Sequence, residues 1–400
     1  MVLYVAILGF GVVGSGVAEV IEKNFDKITQ NASQEIRVKY IVDVRDFPDS
    51  PYADKLIKDF SIVENDPEVK VVVETIGGAG VAYDFTVRSL TAGKSVVTSN
   101  KELVATFGYE LLSLAQEKGV NYMFEASVGG GIPIIRPLSQ CLAANSIFEI
   151  YGILNGTTNY VLTEMIKKGL SLEEALGDAQ KKGYAEANPA ADIEGTDACR
   201  KICILSSLSF GNHIYPVHVK TEGILGVTLD DVAFSGLIGY KIKLLGRAVC
   251  DNGMVAAYVA PHLVSGENML AGVEGVMNGI VVRGNAIGDV MFYGAGAGKL
   301  PTASAVVADV IDSVKHINSR KLISWDNEEL SVIADPDSLK SGWYIRTGSP
   351  AQSVTKAFPQ AELIGTKDGC SAFRLPAMSK YDLMSAAAGT ELLSAFRILD

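Results

Sequence analysis

The densest chemistry in the sequence runs from Gly183 to Lys201, through Tyr184-Ala185-Glu186-Ala187-Asn188-Pro189 and on to Asp192-Ile193-Glu194-Gly195-Thr196-Asp197. Three acids, Glu186, Asp192 and Asp197, gather with Lys201 around a loop punctuated by proline and glycine. Gly195-Thr196 reads as a helix start with Thr196 as N-cap, which puts Asp197 and Lys201 four apart on one face. On a solvent-facing helix such a pair would contribute only about 0.3–0.5 kcal/mol. The helix continues as Ile202-Cys203-Ile204-Leu205-Ser206-Ser207-Leu208, however, and so nearly apolar a run is expected to be buried. Charges at the start of a buried helix need a partner, and a wet cleft would supply one. A positioned lysine of tuned pKa can take or return a hydroxyl proton, while carboxylates can meet a substrate ammonium.

A second constellation supplies what such a proton transfer would serve. Gly9-Phe10-Gly11-Val12-Val13-Gly14 follows an apolar strand and opens a helix that continues through Val17–Ile21. Glycines at this spacing between strand and helix form a dinucleotide fingerprint: Gly9 for the turn, Gly11 for approach of the pyrophosphate and Gly14 for close helix packing. The helix N-terminus then faces the negative charge. Asp43, at the end of the second strand, would accept hydrogen bonds from ribose hydroxyls and favour NAD, whereas Arg45 could pair with a 2′-phosphate and favour NADP. Both are present, and the choice stays open. Lys101, in Thr98-Ser99-Asn100-Lys101 just after a strand, lies at the edge where open α/β sheets bind ligands. A nicotinamide cofactor and a proton carrier together point to hydride transfer at an alcohol.

These residues need elements to position them. Residues 1–135 alternate β-branched runs and helical segments, the pattern of a Rossmann-type parallel α/β sheet. Its strands are predicted at Val2–Leu8, Val38–Val42, Val71–Thr75, Ser95–Thr98 and Asn121–Phe124, with helices such as Gly14–Asn24 and Ala82–Ala92. Residues 136–300 are predicted to form an α+β domain, opened by a strand at Ile147–Leu154 and helix-rich from Asn159 to Phe210. Shorter strands follow at Val255–Val259 and Gly279–Val282. The Gly-rich Gly294–Gly298 leads into a helix, Thr302–Val314, which could complete the first domain over about 300–318. In residues 330–400 the order is strand Gly342–Arg346, helix Pro350–Phe358, strands Ala361–Gly365 and Ser371–Leu375, helix Lys380–Ala388 and strand Leu392–Ile398. That βαββαβ order is the ferredoxin-like arrangement.

Composition narrows the class. Among 400 residues, 48% are hydrophobic, 20% are charged and the net charge is −11. Such a chain is globular, long enough for two or three domains, and lacks the basic balance that nucleic-acid binding needs. No apolar stretch reaches the roughly 18 residues of a membrane span, and the first apolar run lacks a basic leader. The five cysteines, Cys141, Cys199, Cys203, Cys250 and Cys370, form no CxxC pair. A cytoplasmic enzyme is the expectation.

The pattern Ala179-x3-Gly183-Tyr184-Ala185-x2-Asn188-Pro189-x2-Asp192-Ile193-x-Gly195-x-Asp197-x3-Lys201 resembles the signature of homoserine dehydrogenases. The resemblance extends over roughly residues 1–320. It takes in the GxGxxG, Thr98–Lys101, Glu125-Ala126-Ser127-Val128-Gly129-Gly130-Gly131-Ile132-Pro133, Asn155-Gly156-Thr157-Thr158-Asn159 and Pro301-Thr302-Ala303-Ser304. It implies NAD(P)-dependent interconversion of L-homoserine and L-aspartate 4-semialdehyde, in threonine, methionine and isoleucine biosynthesis. Lys201 would carry the proton, with Lys101 a second candidate, and Glu186, Asp192 and Asp197 would bind and orient the substrate. Thr75 and Gly296 would border the nicotinamide. Backbone carbonyls of Glu125, Val128, Gly130 and Ile132 would hold a monovalent cation, sodium or potassium, in a Gly-rich bend that lets carbonyls turn inward. A homodimer built through the middle domain is implied, which the tail could extend to a tetramer.

The tail resembles an ACT-type small-molecule-binding domain, which would make an amino-acid effector such as threonine a partner. Its first loop, Thr347-Gly348-Ser349-Pro350, carries the usual glycine but lacks the usual acid. Two rival functions fit the residues less well. An aldehyde dehydrogenase forming an acyl-enzyme needs an activated cysteine, and none of the five has an evident activating neighbour. A non-catalytic nucleotide sensor would have no need of Lys201 with its acids. The histidines, His213, His218, His262 and His316, match no metal-ligand spacing.

Overall fold

A computed structural model of the chain describes residues 2–319 and 323–400. The chain divides into two compact units. The first comprises 1–145, 203–216 and 294–329; the second comprises 146–202, 217–293 and 330–400.

The first unit is built on six parallel strands: Val2–Leu8 (β1), Glu35–Val42 (β2), Leu56–Ile57 (β3), Val69–Glu74 (β4), Ser95–Thr98 (β5) and Tyr122–Met123 (β6). Their order is β3-β2-β1-β4-β5-β6. This reversal beside β1 is the dinucleotide-binding topology, with its crevice at the carboxyl ends of β1 and β4. Val71, Val72 and Val73 are wholly buried, as a central parallel strand covered on both faces requires. Helix Lys299–Lys315 packs in the same core through Ala303, Val306 and Val310. β3 and the helix Phe25–Ala32 were not expected.

The second unit centres on a mixed sheet of ten strands. They include Ile147–Ile153 (β7), Lys220–Thr221 (β8), Tyr240–Asp251 (β9), Met254–Ser265 (β10), Met277–Gly284 (β11) and Gly288–Ala295 (β12). The tail adds Ser341–Thr347 (β13), Glu362–Lys367 (β14), Cys370–Met378 (β15) and Leu392–Leu399 (β16). The order is β12-β11-β7-β9-β10-β16-β13-β15-β14, with β8 beside β10. β9 and β12 are corrections to the sequence reading. β9 pairs with β10 along its whole length around Asn252-Gly253, both at positive φ, a hairpin turn that explains why β10 is far longer than expected. The tail strands lie within three residues of their expected places and join the sheet through β16, which runs parallel to β10 with His262 opposite Arg397.

Helices Gly156–Lys168, Leu172–Lys181, Ala190–Ile193 and Thr196–Phe210 follow β7. A Cβ on Gly246 would lie 2.8 Å from Leu154 Cδ1 and 3.2 Å from Ile202 Cβ. Its absence lets the last helix press close to β9. Among the described residues no helix is long and apolar enough to cross a membrane.

Candidate active site

In the first unit the turn after β1 is held by main-chain geometry. Gly9 has φ +89°, and a Cβ on Gly14 would sit 1.9 Å from the Gly9 carbonyl oxygen. Only glycines fit, so helix Val12–Lys23 starts directly against the turn. No side chain caps that helix, which leaves the N–H groups beside Gly11, Val12 and Val13 to a ligand. Phe10 turns its ring inward against Phe47, at 5.1 Å between centroids. Thr75, just past β4, donates its hydroxyl to the carbonyls of Leu8 (3.0 Å) and Gly9 (2.9 Å), bracing the turn from behind.

Asp43 and Arg45 prove to be partners. Asp43 Oδ1 accepts the Arg45 N–H at 2.9 Å and Arg45 Nε at 3.0 Å. Its Oδ2 accepts Arg45 Nη2 at 2.9 Å and the Phe10 N–H at 2.7 Å. The guanidinium, with help from the two N–H groups, holds the carboxyl down at about 2. All four acceptor positions of the carboxylate are thereby filled. The pair borders an open cavity of about 360 Å³, which Phe47, Pro48, Ile57 and Lys58 also line.

The sequence reading missed Glu74. It is completely buried at the end of β4, where burial pushes its carboxyl up. It accepts the Ile76 N–H at 2.7 Å and the Thr98 hydroxyl at 2.5 Å, joining the loops that follow β4 and β5. Thr98 Oγ1 in turn accepts the Asn100 N–H at 2.9 Å. Asn100 caps helix Lys101–Lys118 through the Leu103 N–H, and this fixes Lys101 as its first residue. An acid directly after the three valines Val71–Val73 was the available signal.

The bend from Glu125 to Ile132 abuts the later Gly-rich loop. The Gly131 N–H donates to the Ala295 carbonyl at 3.0 Å, and a Cβ on Gly130 would lie 2.3 Å from the Gly296 oxygen. Among the described residues, no backbone N–H outside regular helices and strands donates to the carbonyls of Glu125, Val128, Gly130 or Ile132. The Glu125 side chain has a role the sequence did not reveal. Its carboxylate accepts the N–H groups of Ile134 (2.6 Å), Ile135 (2.8 Å) and Arg136 (2.8 Å). Asp309 then accepts the Glu125 N–H at 2.8 Å and the Arg136 guanidinium at 2.5 Å. Burial, reinforced by Glu125, pushes Asp309 up to about 7. Among the described residues no cluster of three or more His, Cys, Asp and Glu side chains could hold a metal. A cation here would rest on carbonyls.

In the second unit the expected cluster forms, with one member apart. Lys201 is buried; its Nζ lies 2.9 Å from Asp197 Oδ2 and donates to the Leu154 carbonyl at 2.8 Å. Asn155, next along the chain, donates its amide to Asp192 (2.7 Å) and Asp197 (2.9 Å). Among the described residues the carboxylate of Glu186 makes no hydrogen bond or ion pair, and the residue is exposed on the turn before Ala190–Ile193. One local expectation needs correcting. The helix begins at Thr196 itself and the Gly195 carbonyl accepts the Cys199 N–H, so Gly195 takes the cap position. The correction is a single residue and leaves Asp197 and Lys201 on one face.

Comparison with known proteins covers most of the chain. A family model described as homoserine dehydrogenase, NAD binding domain, matches residues 9–125, and one described as homoserine dehydrogenase matches 133–311. The homoserine dehydrogenase of Pseudomonas aeruginosa is 42% identical over 336 residues, 84% of this chain and 76% of that protein. That of Bacillus subtilis is 41% identical over 317 residues, 78% of this chain and 73% of its own. The crystal structure of a homoserine dehydrogenase from Thiobacillus denitrificans superposes with a TM-score of 0.90 at 33% identity, covering 100% of this chain and 99% of that one. A hyperthermophilic archaeal homoserine dehydrogenase in complex with NADPH gives a TM-score of 0.66 at 29% identity over 78% of this chain and 98% of that one.

Proposed function

The chain belongs to the homoserine dehydrogenase family, and from that premise we propose how its residues divide the work. It is an NAD(P)-dependent oxidoreductase that interconverts L-homoserine and L-aspartate 4-semialdehyde. When bound, the nicotinamide dinucleotide supplies the hydride acceptor or donor. Lys201, steadied by the Leu154 carbonyl and Asp197, takes the hydroxyl proton when the alcohol is oxidised and returns it to the aldehyde oxygen on reduction. Asp192 and Asp197 receive the substrate ammonium, and Glu186 joins them from its exposed turn. Lys101, at the ligand edge of the parallel sheet, is the second cation for the reacting end. The observation that carries this reading is the buried Lys201–Asp197 pair beside Asp192, an arrangement a purely nucleotide-binding protein would not need.

The filled acceptor positions of Asp43 favour NADP. A ribose hydroxyl could bond Asp43 only by displacing a donor already in place, whereas the largely exposed Arg45 guanidinium can meet a 2′-phosphate. A monovalent cation would rest on the carbonyls of Glu125, Val128, Gly130 and Ile132, steadied by the Glu125 carboxylate behind them. For the tail, the order β16-β13-β15-β14 with one helix after β13 and one after β15 supports the ferredoxin-like, ACT-type reading. The acid missing from its first loop comes from elsewhere: Glu391 lies with Oε2 2.7 Å from where a Gly348 Cβ would be. This supports an amino-acid effector there.

The test is homoserine oxidation followed by absorbance of the reduced nicotinamide, with NAD and NADP separately. Turnover that prefers NADP is expected. Folded protein that turns over homoserine with neither cofactor would sink the reading, and a marked NAD preference would overturn the role given to Arg45.

A further inference from the structure

We infer that Asn155 is the positioning residue of the substrate half, holding Asp192 and Asp197 in one working arrangement through a single amide. The inference rests on the dehydrogenase reading above. Asn155 is buried at the end of β7, where it caps helix Gly156–Lys168. Its Oδ1 accepts both the Thr158 N–H at 2.8 Å and the Thr158 hydroxyl at 3.0 Å. Those two bonds decide which way the amide faces, because a flipped amide would set an NH2 group against the Thr158 N–H. The Nδ2 protons are therefore directed at Asp192 Oδ1 and Asp197 Oδ2. The preceding residue, Leu154, holds Lys201 by its carbonyl. Two consecutive residues at one strand end thus hold the proton carrier and both neighbouring carboxylates.

The physical need is plain. Two carboxylates gathered without a donor between them repel, and one would drift away or take up a proton. One donor with two protons answers both and adds no charge. Asp197 Oδ2 faces Lys201 Nζ as well as Asn155, so a shift in the amide would pass directly to the lysine.

Capping alone does not require asparagine. Aspartate and serine cap about as well, since the cap uses only a side-chain acceptor. Asn155→Asp therefore separates the two roles. It keeps the shape and the acceptor, but it replaces the NH2 donor with a carboxylate facing Asp192 and Asp197, with Lys201 behind the latter. Asn155→Ser also keeps an acceptor but exchanges the two amide protons for one hydroxyl on a shorter side chain, so it cannot bridge both carboxylates, and it adds no charge.

The experiment measures kcat/KM for homoserine, NADP affinity and Tm for the wild type and both variants across a range of pH. For Asn155→Ser a loss of about 10- to 100-fold in kcat/KM is expected, the worth of hydrogen bonds to charged groups, with NADP affinity unchanged. For Asn155→Asp the loss is larger at neutral pH. Its activity relative to wild type then rises as pH falls, because a protonated carboxyl at position 155 regains an O–H donor. A role in capping alone would leave Asn155→Asp equal to wild type at every pH, and that result overturns the inference. Should Asn155→Asp fail to fold, a folded Asn155→Ser with wild-type kcat/KM overturns it equally. Wild-type protein inert toward homoserine would instead bring down the dehydrogenase reading itself.

Discussion

Around the Gly9–Gly14 turn the groups offered to a ligand are main-chain N–H donors, fixed by glycine geometry. Around Lys201 they are side chains, one lysine against the two carboxylates of Asp192 and Asp197. The first arrangement suits a large anionic cofactor, because a helix N-terminus and peptide dipoles favour negative charge without burying a cation. The second suits a small zwitterion and a moving proton, where each carboxylate and the lysine must sit at a set distance. Main-chain donors carry no net charge to desolvate, whereas the buried Lys201–Asp197 pair is stable only as a set. Removing one partner of such a pair costs about 3–5 kcal/mol.

The comparison is sharpened most by Lys201→Ala. Loss of the proton carrier is expected to lower kcat by about 10²–10⁴-fold while NADP affinity stays at the wild-type value. Tm should also fall, because Asp197 is left buried without its lysine. A variant that keeps wild-type kcat would break the division of labour outright. On the other side, Gly14→Ala forces a methyl into the Gly9 carbonyl and should weaken NADP binding by at least tenfold. Binding titrations should find the loss there, with kcat at saturating cofactor much less affected.

Arg45→Ala is milder and more specific. With the guanidinium gone, NADP should bind about 10- to 100-fold more weakly, the usual worth of charged hydrogen bonds. NAD should bind as well or better, since Asp43 regains free acceptor positions. Equal weakening of both cofactors would show that Arg45 serves the turn and not the 2′-phosphate.

The same contrast explains what could be read from the sequence. The cofactor site is local: six residues from Gly9 to Gly14 carry its geometry, so spacing alone exposes it. Asp197 and Lys201 were visible for the same reason, being one helical turn apart. What Glu74, Asn155 and Asp309 do was not, because each also acts on partners remote in sequence. Asn155 meets carboxylates 37 and 42 residues away, and Asp309 meets a backbone N–H 184 residues away. β9 was hidden by its lysines. Lys241, Lys243 and Arg247 interrupt the apolar run of the strand, yet Lys243 is buried, donating to Asn159 Oδ1 at 3.0 Å and the Val273 carbonyl at 2.5 Å. Neither acceptor lies near it in the chain. The Asn252-Gly253 pair was a hairpin signal in plain view, and only the charges on the preceding strand argued against it.

The smallest expected effect sets the two units against each other through pH. Each buries a group whose charge is imperfectly matched. Asp309, in the first, is pushed from its ordinary 3.8 to about 7, mainly by burial. Lys243, in the second, is lowered from 10.5 to about 8, again mainly by burial. Between pH 4 and 7 the folded protein holds a proton on Asp309 that the unfolded chain has lost, so this group's contribution to stability falls as pH rises through that window. Between pH 8 and 10.5 the unfolded chain holds a proton that folded Lys243 has lost, so its contribution rises with pH. Denaturant unfolding of the wild type against Asp309→Asn and Lys243→Met isolates each contribution, since neither replacement titrates. The stability of wild type relative to Asp309→Asn should slope downward over the lower window, and relative to Lys243→Met upward over the higher one. A flat difference in either window would mean that the group is solvated or fully paired in solution, and that its burial leaves no charge unmatched in that unit.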